Sequence, residues 1–164
     1  MTKPPRIAPS PTDFAVEPPL PPQAKLILRG VQRLMMAHDY ASLSEVVLAN
    51  WRRADVMAIG PQGAVWIIEI KSSIADFRSD SKWPEYRDYC DRLFFAVAPE
   101  FPNEILPADA GLIIADRYDG EIVRMAPEQR LAGARRKAVT LAFARVAAAR
   151  LLHATEPVIP EKTG

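Results

Sequence analysis

The sequence predicts an α/β domain, a central sheet flanked by helices in the order α-β-β-β-α-β, followed by a hairpin and a closing helix. Three observations predict it. Leu26, Ile27, Val31, Leu34 and Met35 recur near helical spacing in residues 23–38. RRADVMAIGPQGAVWIIEIKSS, residues 52–73, holds two strand-like runs around the turn Gly60-Pro61-Gln62-Gly63. LFFAVA, residues 93–98, is a continuous apolar run of the kind a central strand needs when both its faces are covered.

Taken in order, residues 1–22 carry eight of the sixteen prolines. Proline fixes φ and removes a donor, so this stretch is expected to be an extended tail, and it could dock a protein partner. Pro22 suits the start of the first helix, which contains no acid. LSEVVL, residues 43–48, reads as a short strand, and residues 55–59 and 64–71 as the hairpin. A second helix is expected over residues 82–91 with Pro84 in its first turn. Residues 111–115 and 121–125 form a later hairpin about Tyr118-Asp119-Gly120. Pro127 opens a helix that runs to about residue 153, rich in alanine and arginine. The folded domain is thus expected over residues 23–154, with a second tail over 155–164.

Composition narrows the function classes. A chain of 164 residues is about one domain, and 49% hydrophobic with 25% charged residues is the ordinary globular balance. The sequence offers no uninterrupted apolar run of about 18 residues and no signal-peptide layout, so a cytoplasmic protein with no membrane association is expected. Cys90 stands alone, which excludes an internal disulfide and a multi-cysteine zinc site. His38 and His153 have no acid or nucleophile motif around them, and no Gly-rich phosphate loop exists. Net charge is +1, but residues 128–150 hold Arg130, Arg135, Arg136, Lys137, Arg145 and Arg150 against Glu128 alone, six minus one, or +5. Such a stripe is either a solvated helix face or a footprint for polyanions.

Asp55, Glu69 and Lys71 stand where strands are ordinarily apolar. Residues two apart in a strand share a face, so Glu69 and Lys71 point the same way. If the turn is centred on Gln62, Asp55 lies opposite Glu69 and joins them. Like charges placed opposite each other cost up to about 1 kcal/mol. Either Lys71 pairs with Glu69 on a charged strand face, or a divalent cation neutralises both acids. In the second case Asp55, Glu69 and the carbonyl of Ile70 could hold Mg²⁺, with Mn²⁺ as a substitute. Lys71 would then orient or help deprotonate a water that attacks a phosphodiester. Lys82 and Tyr86, four apart on the expected helix, would support the site. Asp76, Asp80, Asp88 and Asp91 lie close by in sequence, and Asp91 is equally readable as a buried, paired acid.

Asp55 followed by Glu69-x-Lys71 on the next strand resembles the PD-(D/E)xK nuclease superfamily. The resemblance implies a restriction-endonuclease-like core with a mixed central sheet, and metal-binding roles for Asp55 and Glu69 with Lys71 as the catalytic lysine. Lys82 and Tyr86 then match a Gln-x-x-x-Tyr pair, with lysine in place of glutamine. More narrowly, RRADV, EIKSS, KWPEYRDYCD, GLIIAD and ARRKA resemble the MmcB-like DNA-repair family, which implies a Mg²⁺-dependent endonuclease acting on DNA. Arg52, Arg53, Arg135, Arg136 and Lys137 would contact phosphates. Members often carry an acid in the first helix, and Glu45 is its nearest stand-in here. That departure leaves an alternative, a catalytically weak or inactive nuclease-fold module that binds DNA or a repair partner. Nothing in the sequence demands a homodimer, although small nucleases of this kind often form one.

Overall fold

A computed structural model describes residues 19–156; the two expected tails lie mostly outside the described residues. Helix α1 (Pro22–Ala37) leads into strands β1 (Ala41–Val47), β2 (Arg53–Ile59) and β3 (Val65–Ile70). A short helix α2 (Ile74–Ser79) and a 3-10 segment (Trp83–Tyr89) precede β4 (Arg92–Val97), β5 (Gly111–Ala115), β6 (Gly120–Arg124) and helix α3 (Gly133–Thr155). The six strands form one mixed sheet in sequence order: β3–β4 and β4–β5 are parallel, the other pairs antiparallel. Parallel neighbours require a crossover, and α2 with the 3-10 segment supplies the one between β3 and β4.

Strand periodicity divides the core. Trp66, Ile68 and Ile70 face α1 and pack with Ile27, Val31, Leu34 and Met35. On the opposite face Val65, Ile67, Met57 and Leu93 pack under Tyr86, Tyr89, Cys90 and Val139. β3 is buried along its whole length, as a strand covered on both sides must be. Gly30 is required where α1 crosses the β5–β6 turn, because a Cβ there would stand 2.2 Å from the Asp116 carbonyl oxygen. Cys90 is buried, as cysteine usually is.

Two expectations need correction. The helix expected over residues 82–91 is the 3-10 segment Trp83–Tyr89. In a 3-10 turn residues three apart eclipse, so Trp83, Tyr86 and Tyr89 form the inward stripe, and Lys82 is exposed outside it. The closing helix begins at Gly133 rather than Pro127. Ahead of it the backbone is held by β4's neighbour Asp91, whose carbonyl accepts from Gln129 N–H at 2.8 Å and whose Oδ1 accepts from Leu131 N–H at 2.9 Å. By length and composition alone α3 is long and apolar enough to cross a membrane. Two of its arginines bond to the rest of the domain: Arg136, and Arg150, which donates to the carbonyls of Ser44 and Glu45 at 2.5 and 2.9 Å.

Arg136 also departs from the expected role of a phosphate contact. Its Nη1 and Nη2 each lie 2.7 Å from an Asp91 oxygen, and Nη1 donates to the Gly63 carbonyl at 2.8 Å. Asp91 is 3% exposed and takes a further 2.7 Å bond from Val65 N–H, so one carboxylate joins β3, the pre-α3 segment and α3. Burial pushes this carboxyl up, but the Arg136 and backbone donors outweigh it and bring it down to about 2. A depressed carboxyl contributes stability above its ordinary value of 3.8 and loses it as pH falls toward 2. We predict that Arg136→Ala costs about 3 kcal/mol in urea unfolding at pH 7, the range for stranding one partner of a buried pair. The difference from the parent chain shrinks as the pH is lowered through 4 to 2.

Candidate functional site

The β2–β3 register runs Ile59↔Val65, Ala58↔Trp66, Met57↔Ile67, Val56↔Ile68. One step further sets Asp55 against Glu69, as the turn centre at Gln62 requires. Here side chains replace the backbone ladder. Glu69 Oε1 accepts the Asp55 N–H at 3.2 Å, and Asp55 Oδ2 accepts the Ile70 N–H at 2.8 Å. Each carboxylate caps the other's strand, so the two acids share one notch. An extended residue turns its N–H and C=O toward the same neighbour, which puts the Ile70 carbonyl on the Asp55 side as well.

The notch is short of positive charge. Glu69 is 3% exposed, and burial, then the charge of Asp55, push its carboxyl well above the ordinary range. Burial pushes Asp55 up to about 6, against the opposing pull of the Ile70 N–H and Lys71. Lys71, 4% exposed, lies among them, but its ammonium is committed elsewhere: Nζ stands 2.6 Å from Asp80 Oδ2. Burial would lower Lys71, but its bond to Asp80 and the surrounding acids hold it above its ordinary value. Asp80, which burial alone would raise, is drawn down by the same bond. Lys71 is therefore held as a cation by Asp80, an arrangement that suits orientation and charge balance. The pairing of Lys71 with Glu69, one of the two readings of this strand face, is replaced by Lys71–Asp80.

The structure sorts the remaining candidates. Tyr86 O–H donates to the Arg53 carbonyl at 2.7 Å, and burial, then the charges of Glu69 and Asp55, hold it in the neutral form. Lys82 contributes its backbone N–H to Asp80 Oδ1 at 2.8 Å while its side chain is exposed. Glu45, bracketed by the pairs Ser44↔Val56 and Val46↔Ala54, stands opposite Asp55 with φ +53°. Its Oε1 lies 3.6 Å from Arg53 Nη1. The acid whose charge reaches Asp55 is instead Asp76. Arg52 is joined to Glu85 through Nε and Nη2 at 2.8 and 3.1 Å. Arg135 lies over the Tyr89 ring, and Lys137 is exposed on α3.

Asp76 and Asp80 thus belong to the site, although the sequence reading named them only as nearby acids. Ser73-x-x-Asp76 was the available signal, since a Ser followed three residues on by an acid marks a helix start. Ser73 Oγ accepts Asp76 N–H at 3.1 Å, and Asp76 Oδ2 takes the Ser72 N–H at 2.9 Å, which fixes α2 beside the notch.

Among the described residues no group of three His, Cys, Asp or Glu side chains is arranged to hold a metal. Two carboxylates and one carbonyl nonetheless suit Mg²⁺, which is ordinarily held by one or two carboxylates and keeps several waters. The acid pair, each member opposed by burial and Glu69 by its neighbour's charge, is the observation that fits a divalent ion.

The model of the DNA repair protein MmcB-like family matches residues 14–158. The chain belongs to the MmcB-like family. A solved structure of a protein of unknown function from Silicibacter pomeroyi is 52% identical, with a TM-score of 0.80, over 87% of this chain and 95% of that one. Among curated proteins none matches. Family membership places the chain with DNA repair proteins.

Because burial raises Glu69, the folded chain holds its proton tightly at low pH and pays for ionising the group as pH rises. In the metal-free MmcB-like protein Glu69→Gln should therefore raise the melting temperature by a few degrees at pH 8 and by less at pH 5. A structural Glu69, stabilising in its charged form, would lower it at both.

Proposed function

We propose that this MmcB-like protein is a Mg²⁺-dependent deoxyribonuclease of the PD-(D/E)xK type that hydrolyses phosphodiesters in DNA repair. The single observation that carries the reading is an acid pair, Glu69 buried and Asp55 half-buried, beside a lysine whose ammonium is paired with Asp80. Asp55, Glu69 and the Ile70 carbonyl are the metal-holding set. The ion, when bound, would supply Lewis-acid polarisation of a phosphate and a more acidic water.

The chain's own groups do the rest. Lys71, clamped by Asp80, presents N–H donors toward the scissile phosphate and balances charge as the pentavalent state develops. Tyr86 fixes the Arg53 carbonyl and so the entry of β2. Arg52 keeps part of its guanidinium beyond the two donors given to Glu85, and with Arg53, Lys82, Arg135 and Lys137 it would meet the phosphates of the strand.

A second reading, a module that binds DNA without cutting it, is favoured by one feature: among the described residues no third acid joins Asp55 and Glu69 in a metal-holding group. Plasmid nicking in Mg²⁺ or Mn²⁺ decides between them. Glu69→Ala and Lys71→Ala should each lower the rate by about 100-fold or more, the scale seen when one charge-stabilising group is removed. Asp80→Asn should lower it less, because Lys71 loses its clamp but keeps its charge. Undiminished nicking in the first two variants would assign the cleavage to something else, and no nicking by the parent chain would favour the binding module.

A further inference from the structure

Trp51 sits in the tight β1–β2 turn with φ +67° and 48% of its surface exposed. Both features are unusual for a tryptophan. A left-handed backbone at a bulky residue is strained, and Asn, Asp or Gly would relieve it. Half-exposed, the ring contributes less to the core than Trp66, 6% exposed, which packs between Tyr40 and Phe94. The turn is nevertheless well defined: Leu48 N–H donates to the Arg52 carbonyl at 2.8 Å, Trp51 N–H to the Leu48 carbonyl at 2.9 Å, and Arg52 N–H to Asn50 Oδ1 at 3.0 Å. The chain thus holds a costly residue in a costly conformation and points it outward.

Its surroundings say what it could meet. Trp51 is four residues from Asp55, at most about 13 Å along an extended chain, a span of a few nucleotides. Arg52 ties the turn to Glu85 of the 3-10 segment, and Tyr86 on that segment touches the Arg53 carbonyl. The turn, the segment and the acid notch therefore form one neighbourhood. Arg52 and Lys82 give its rim two cations against Glu85, and Lys82 is close enough to act on that carboxylate. An exposed aromatic beside cationic side chains is the arrangement that holds unpaired nucleic acid, with the ring stacking a base and the cations taking phosphates.

We propose that Trp51 is a stacking platform for an unpaired base, which makes single-stranded or locally unpaired DNA the preferred ligand of the acid notch. In duplex DNA the bases are stacked on each other, so the ring has no free face to cover. The proposal rests on the notch being a DNA site, but it requires neither metal nor cleavage.

The test is therefore run in EDTA, with a 20-nucleotide oligo(dT) and a blunt 20-base-pair duplex as probes, read by fluorescence anisotropy on the full chain. Stacking worth about 1–3 kcal/mol per base predicts that Trp51→Ala weakens oligo(dT) binding about 5- to 150-fold. Duplex affinity should change less than about twofold, and Trp51→Phe should keep most of the oligo(dT) affinity. Trp51→Asn separates this from a folding defect: it removes left-handed strain, so it should melt no lower than the parent while losing oligo(dT) affinity as Trp51→Ala does. Equal losses on both probes, unchanged oligo(dT) binding, or no binding of either probe by the parent chain each overturn the proposal. Loss of nicking with intact Trp51-dependent binding would remove the nuclease reading alone.

Discussion

Two carboxylates held at the end of a strand pair, with their nearest lysine already spoken for, are the constraint from which the rest of the site follows. Asp55 and Glu69 do not repel each other apart because each is anchored by a backbone N–H of the opposite strand. Lys71 offsets their charge only in part, because Asp80 lies 2.6 Å from its ammonium. The fold meets the cost of burying Glu69, with Asp55 half-buried beside it, through the packing around them. β3 is buried on both faces, and the 3-10 segment packs Tyr86 and Tyr89 onto the sheet face of Ile67 and Leu93. A site in which burial and like charge oppose ionisation is the usual signature of a group kept for chemistry rather than for stability.

The same logic separates two kinds of buried acid in this chain. Asp91 is as buried as Glu69 at 3% exposure, but it is satisfied by a bidentate arginine and two backbone donors, and its carboxyl falls to about 2. Glu69, with one backbone donor and a like-charged neighbour, moves the other way. Asp91 locks α3 and the segment before it onto the sheet. Glu69 stays open to a partner of opposite charge. The arginine-rich closing helix is accordingly not a uniform polyanion footprint, because Arg136 and Arg150 are spent on internal bonds.

How much of this was legible in the sequence depends on how local the deciding physics was. The opposition of Asp55 and Glu69 follows from one turn, since Gly60-Pro61-Gln62-Gly63 fixes where the hairpin folds back and hence every pair above it. The buried character of β4 was equally plain in LFFAVA. Lys71's partner was not legible, because Asp80 reaches it across a helix and a turn whose path only tertiary packing sets. The 3-10 segment was misread because Lys82 and Tyr86 were paired at the α-helical spacing of four, whereas Trp83, Tyr86 and Tyr89 at spacing three form the inward stripe. The late start of α3 has a similar origin: Asp91, distant in sequence, captures the backbone at Gln129 and Leu131 before the helix begins.

Isothermal calorimetry of Mn²⁺ binding to the metal-free chain at pH 7.5, in two buffers of different ionisation enthalpy, tests the central claim most directly. A cation that fills the notch favours the charged form of two carboxyls that burial shifts toward the neutral one, so its binding is linked to proton release. One ion should therefore bind with a buffer-dependent heat that reports proton release, and Glu69→Gln should abolish it. No heat up to millimolar Mn²⁺, or the same heat in the variant, would contradict the account.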